Sequence, residues 1–226
     1  MLFFSPYDWL LLPAIALAMY AQFKVRSTFS HYSRVRAAAG MTGAQVAANI
    51  LRANGISDVN IEETGGTLSD HYDPRKKVLR LSSGVYSSDS IAALGVAAHE
   101  AGHAAQHATG YLPLRLRHSL VPLANFGSSL AIPLFLVGLM LGAVGLMNLG
   151  ILLFSGAVLF QVVTLPVEFD ASRRALAQLR SGHLLREEEL SGARRVLSAA
   201  ALTYIAATAV AVVHLLRLIM MRSSRE

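Results

Sequence analysis

Four long runs of apolar residues, almost free of charge, divide this chain: Trp9–Phe23, Leu120–Leu146, Leu149–Val167 and Ala199–Leu216. Crossing the hydrocarbon core of a bilayer takes roughly 20 such residues. The last three runs are good membrane helices, whereas the first reaches spanning length only if Leu2–Tyr7 contributes. No Lys or Arg precedes that first run, Asp8 stands at its start, and Lys24, Arg26, Arg34 and Arg36 follow it. These flanks suit a retained anchor better than a cleaved signal peptide. An uncharged turn around Gly145–Asn148 lets the second and third runs form a close hairpin through the membrane.

Between the runs the pattern becomes that of a small folded domain. Lys24–Arg36 is a basic connector, helical or interfacial. Met41–Leu51 reads as a helix capped by Thr42, with Val46, Ile50 and Leu51 on one face and Asn54-Gly55 ending it. Val59–Glu62, Thr67–Tyr72 and Lys77–Leu81 read as three short strands separated by Gly65-Gly66 and Asp73-Pro74. Ser87, Ser88, Asp89 and Ser90 then offer caps for a helix that begins at Ile91. The fold class is therefore a mainly α integral membrane protein with about four transmembrane helices and a small α+β domain, in which the helix from Ile91 follows a short antiparallel sheet. The expected segments are an anchor (1–23), the α+β domain (24–118), a transmembrane hairpin (119–167), a helical segment (168–198) and a terminal helix with a basic tail (199–226).

Composition agrees: 54% of residues are hydrophobic and 15% charged, against roughly 45–50% and about 25% in globular domains. Charge also orients the chain. Of 20 Lys and Arg, eleven lie from Lys24 to Arg117 and six from Arg173 to Arg195, leaving Arg217, Arg222 and Arg225 at the end. Basic residues beside membrane helices stay in the cytoplasm, so both inter-run segments are expected on the cytoplasmic side of a multi-pass protein. The terminal basic tail argues weakly against the last crossing. The net charge of +6 is then a topology signal with some attraction to anionic lipid, and needs no nucleic acid. With no cysteine, disulfides and thiolate metal sites are excluded.

The candidate chemistry lies in His99-Glu100-Ala101-Gly102-His103, an H-E-x-x-H sequence that chance would place in roughly 1% of such chains. On a helix, His99 and His103 share one face one turn apart and can hold one zinc ion, while Glu100 can take a proton from a zinc-activated water. The small residues around them, Ala97, Ala98, Ala101, Gly102, Ala104 and Ala105, let neighbouring elements pack closely. A catalytic zinc site needs a third protein ligand. Directly after the third apolar run stand Glu168 and Asp170, on the same membrane face as the motif by the charge reading. Glu168 is the preferred ligand. Asp170 is the alternative, or a group that orients a ligand, or a partner of Arg173 or Arg174.

Several longer stretches carry a resemblance: Asp70–Arg75, Gly95–His103, Gly110-Tyr111, Leu165–Ser172 and Ala200–Tyr204. Over nearly its whole length the chain resembles the bacterial neutral zinc metallopeptidases of the YugP-like family. More distantly it is similar to HtpX-type membrane proteases, which place a zinc helix before a transmembrane hairpin and a glutamate ligand in an E-x-x-A-D-like helix after it. Ser172 occupies the position of that aspartate, leaving Asp170 or another group to support the histidine. The resemblance implies Zn2+ as cofactor and a bacterial plasma membrane as location.

His107, one turn past His103, could act as a further ligand or stabilise an oxyanion, but suits a supporting role better. His71 and Tyr72 either contact an extended substrate or stabilise the turn before Asp73-Pro74. Tyr111 and Tyr204 are weaker oxyanion candidates, and His183 and His214 have no partner pattern. The leading expectation is an integral-membrane zinc endopeptidase acting on unfolded or membrane-protein segments, in quality control. The alternative is a membrane protein with a structural or regulatory zinc site and no turnover, for which Glu100 would be superfluous. Transport is disfavoured by the lack of charge inside the apolar runs. No feature of the sequence sets an oligomeric state.

Overall fold

The computed structural model describes residues 7–224, so the contribution of Leu2–Tyr7 to the first apolar run lies almost wholly outside the described residues. Its elements are α1 (Leu11–Tyr32), α2 (Gly43–Ala53), β1 (Asn60–Thr64), β2 (His71–Asp73), β3 (Val78–Ser82), α3 (Ser83–Tyr86), α4 (Ile91–Ala108), α5 (Leu112–Leu141), α6 (Val144–Ser181) and α7 (Glu187–Ser223). Three of them, α5, α6 and α7, are long and apolar enough to cross a membrane. Among the described residues α1 is not a fourth, because its apolar part, Leu11–Phe23, ends at Lys24, short of the roughly 20 residues that a crossing takes. The described apolar run from Leu11 and the first part of the basic connector, to Tyr32, are thus one helix. The chain also forms two compact units: one holds the residues up to Gln22, Arg115–Pro166 and the chain from Thr203; the other holds Phe23–Leu114 and Val167–Leu202.

The second unit is built around α4. Ser90 caps it, its hydroxyl accepting from the Ala93 amide at 3.2 Å. Ala92, Ala93, Ala97, Ala98 and Ala101 are fully buried, so their small side chains bring neighbours close to the helix backbone. On this core pack Val46 and Ile50 of α2, Leu79 and Leu81 of β3, Leu179 of α6 and Leu197 of α7. Thr42 and Gln45 close a reciprocal capping box at the start of α2. The chain leaves this helix at Gly55, whose φ of +68° suits glycine.

The sheet corrects the expectation of antiparallel pairing throughout. Its order is β1-β3-β2, with β1 parallel and β2 antiparallel to β3. Burial explains the order. Val78, Leu79, Leu81 and Ser82 of β3 are buried, whereas β1 and β2 hold no buried residue. The most apolar strand takes the centre, and the polar strands take the edges. The connection from β1 to β2 crosses to the far edge through Gly66 (φ +97°) and Leu68 (φ +57°). Asp70 anchors that crossing by accepting from the Ser82 amide (2.7 Å) and hydroxyl (3.0 Å).

In the first unit, the turn between α5 and α6 falls at Gly142–Ala143 rather than Gly145–Asn148. Gly142 adopts φ +65° and the Ala143 amide closes on Gly138 O at 2.8 Å, which ends α5 early. Gly127 and Gly150 mark close helix approach: a Cβ there would lie 2.4 Å from Leu153 O and 2.7 Å from Ala131 O. Asp8 accepts from Arg217 at 2.6 Å, and Asn148 accepts from Arg222 at 3.1 Å. These two bonds gather the start of the described chain, the α5–α6 turn and the end of α7 at one end of this unit.

Candidate metal centre

Two turns of α4 and one of α6 make the site. His99 and His103 project from one face of α4, their ring centroids 4.7 Å apart and nearly perpendicular. Gly102 lies between them, and α6 crosses there so closely that a Cβ would meet Ala171 O at 2.8 Å. That approach brings Glu168, 2% exposed, against both rings. Its Oε2 lies 3.2 Å from His99 Nε2 and 3.6 Å from His103 Nε2. Among the described residues these three offer donor atoms all within 4.8 Å of one another.

A second layer faces the other nitrogens. Ser172 Oγ is 3.2 Å from His99 Nδ1, so a hydroxyl occupies the place where the resemblance left a gap. Gln106 Oε1 lies 3.0 Å from His103 Nδ1. Sequence reasoning missed Gln106. Its signal was a long polar side chain within a run of alanines, one turn past His103 on a helix buried nearly all round. The Gln106 amide nitrogen donates to Val167 O (2.8 Å) and Asp170 Oδ2 (3.0 Å). Asp170, 4% exposed, also accepts from Arg173 and from Arg174 Nε (2.6 Å). The Arg174 guanidinium lies 5.7 Å from the centre of the Tyr111 ring, at cation–π distance. Asp170 therefore stands behind Gln106 and outside the cluster of three.

The remaining candidates divide clearly. Glu100 is buried in α4. Burial disfavours the His103 imidazolium, but its hydrogen bond to the Glu168 carboxylate and the charge of Glu100 outweigh it and hold the His103 pKa above the ordinary histidine value. His107 is outside the cluster of three and lies 2.8 Å from the Tyr72 hydroxyl. Burial, with Asp58 and Asp73 nearby, pushes the Tyr72 pKa up, so the hydroxyl keeps a proton to donate. His71 is exposed, its Nδ1 2.8 Å from Ser69 O, in a turn role. His183 occupies a left-handed turn after α6, and His214 packs on Phe154 in the first unit.

The donor set suits zinc. Two imidazoles and a carboxylate without thiolate are a usual catalytic combination, and ligand atoms about 2.0–2.1 Å from a tetrahedral ion stand roughly 3.3 Å apart. The separations of 3.2 and 3.6 Å match that spacing. With both Nδ1 atoms engaged by Ser172 and Gln106, each ring can present Nε2 as the donor.

Long apolar helices, together with the two histidines of an H-E-x-x-H helix gathered against a glutamate of another helix, are the marks of a membrane-associated metallopeptidase. Residues 7–223 match the family described as "Putative neutral zinc metallopeptidase", and the chain belongs to that family. It is 51% identical over 212 residues, covering 94% of each chain, to a Bacillus subtilis (strain 168) protein named "Putative membrane protease YugP". No solved structure matches the chain.

Proposed function

We propose that this chain is an integral-membrane zinc endopeptidase whose metal is held by His99, His103 and Glu168. The observation that carries this reading is the approach of Glu168 Oε2 to both Nε2 atoms from a helix that follows α5 and its turn. Zinc bound there supplies a Lewis acid that acidifies water and polarises a peptide carbonyl. Glu100 takes the proton of the attacking water and delivers it to the leaving amine. Ser172 and Gln106 orient the histidines. Tyr72, on an edge strand, is placed to meet an extended peptide or donate to its carbonyl.

In the proposed arrangement α5, α6 and α7 cross the bilayer, the apolar part of α1 anchors the chain in it, and Phe23–Leu114 with Val167–Leu202 lies on the cytoplasmic face. The positive-inside distribution supports this orientation. Arg217 is bonded to Asp8 and Arg222 to Asn148, but the rule counts basic residues whatever their partners, so the basic tail still argues weakly against the last crossing. Substrates are unfolded segments, cytosolic tails or loops of membrane proteins, and the role is quality control.

The test uses purified protein in detergent. Glu100→Gln is expected to keep one zinc per chain and to lose cleavage of casein and of itself. Wild type that holds one zinc and cleaves neither unfolded protein nor a membrane client would favour a structural metal site instead.

A further inference from the structure

Gln106 is fully buried, neither belongs to the cluster of three nor faces solvent, and has an amide with two unlike ends. Its nitrogen lies 2.8 Å from Val167 O and 3.0 Å from Asp170 Oδ2, and both of those atoms can only accept. Turning the amide over would press its oxygen against two other oxygens where no water reaches. The hydrogen-bond partners therefore fix which end is which. The oxygen is left facing His103 Nδ1 at 3.0 Å. An amide oxygen only accepts, so Nδ1 carries a hydrogen. In the neutral ring the lone pair is then on Nε2, the atom 3.6 Å from Glu168.

Asp170 is itself held by Arg173 and Arg174, and Arg174 lies against Tyr111. The amide thus has a fixed end. His99 is held differently. Its Nδ1 faces the Ser172 hydroxyl at 3.2 Å, and a hydroxyl can rotate to donate or accept. Either form of the His99 ring is tolerated, and only one form of the His103 ring is.

We propose that Gln106, locked by Asp170, is a positioning residue that fixes the tautomer and ring orientation of His103 so that Nε2 is the donor toward Glu168. The role of that donor rests on the metallopeptidase reading; the tautomer is a property of the chain alone.

The test uses full-length protein in detergent micelles with nitrogen-15-labelled histidine, free of metal, at a pH where the rings are neutral. His103 signals are identified by their loss in His103→Ala. Wild type is expected to show His103 protonated on Nδ1. Gln106→Met, which fills a similar volume without polar ends, is expected to populate the Nε2–H form, which can bond Glu168. The pair Q106E/D170N keeps an acceptor toward His103, its other carboxyl oxygen being protonated toward Val167 O and accepting from the new amide at position 170, and is expected to return the ring to Nδ1–H. Wild type protonated on Nε2, or Gln106→Met unchanged from wild type, overturns the proposal.

Zinc affinity measured against a competing chelator gives the second readout. Gln106→Met is expected to bind about 10–100-fold more weakly, with recovery in Q106E/D170N. Equal affinity in wild type and Gln106→Met overturns the proposal. A chain that binds no zinc at all, yet whose His103 tautomer follows Gln106, retains the tautomer assignment and removes the metallopeptidase reading.

Discussion

At the scale of single residues, two carboxylates two positions apart on α6 have opposite surroundings. Glu168 lies against two imidazoles, whereas Asp170 lies against two guanidinium groups and an amide. Removing them should therefore have different effects. Glu168→Ala, like His99→Ala or His103→Ala, is expected to abolish stoichiometric zinc in the purified protein. Asp170→Ala is expected to keep zinc at high concentration but weaken it by about 10–100-fold, as loss of a group behind a ligand does. Metal analysis of the four variants checks this; loss with Asp170→Ala and retention with Glu168→Ala would reverse the ligand assignment. Ser172→Ala should cost less zinc affinity than Gln106→Met, since a hydroxyl that accepts either ring form constrains less.

At the scale of elements, the crossing of α4 and α6 depends on Gly102. A Cβ there meets the Ala171 carbonyl, which is backbone and can move only with its helix. Gly102→Ala should push α6 away, destabilise the chain by about 1–3 kcal/mol as overpacking does, and lower zinc occupancy. Gly95→Ala is the control, because its Cβ would meet Ala193 at an ordinary 3.6 Å. Thermal melts and metal content of the two variants decide the point; equal losses in both would remove the crossing as the cause. Much at this scale was legible in the sequence. The Thr42 and Ser90 caps, the zinc-motif helix and the three strands follow from local patterns that neighbours reinforce. Strand order was not legible, because it depends on which strand is buried on both faces. Nor was Gln106, whose meaning arises only when α6 brings Asp170 and Val167 to it. The hairpin turn was misplaced by a few residues, since Gly142 and Gly145 look alike until one adopts positive φ.

For the whole molecule, the absence of cysteine makes topology directly measurable. Single cysteines placed at Ser57, Ala143 and Ser224 report on the small α+β domain, the α5–α6 turn and the end of α7. A membrane-impermeant thiol reagent applied to cells with a permeable envelope is expected to label A143C and S224C and to spare S57C until the plasma membrane is opened. Labelling of S57C in intact cells would place the histidines on the outer face. Protection of S224C alongside S57C would mean that α7 does not cross.

Chain order has a consequence for synthesis. A ribosome making this protein completes His99 and His103 first, then α5 and the greater part of α6, and only then Glu168. On the proposed reading, the nascent chain holds two of its three zinc ligands throughout the period in which its hairpin is being inserted. Maturation is thereby tied to membrane insertion. A chain that stalls before residue 168 is then expected to lack the third ligand and to hold no stoichiometric zinc.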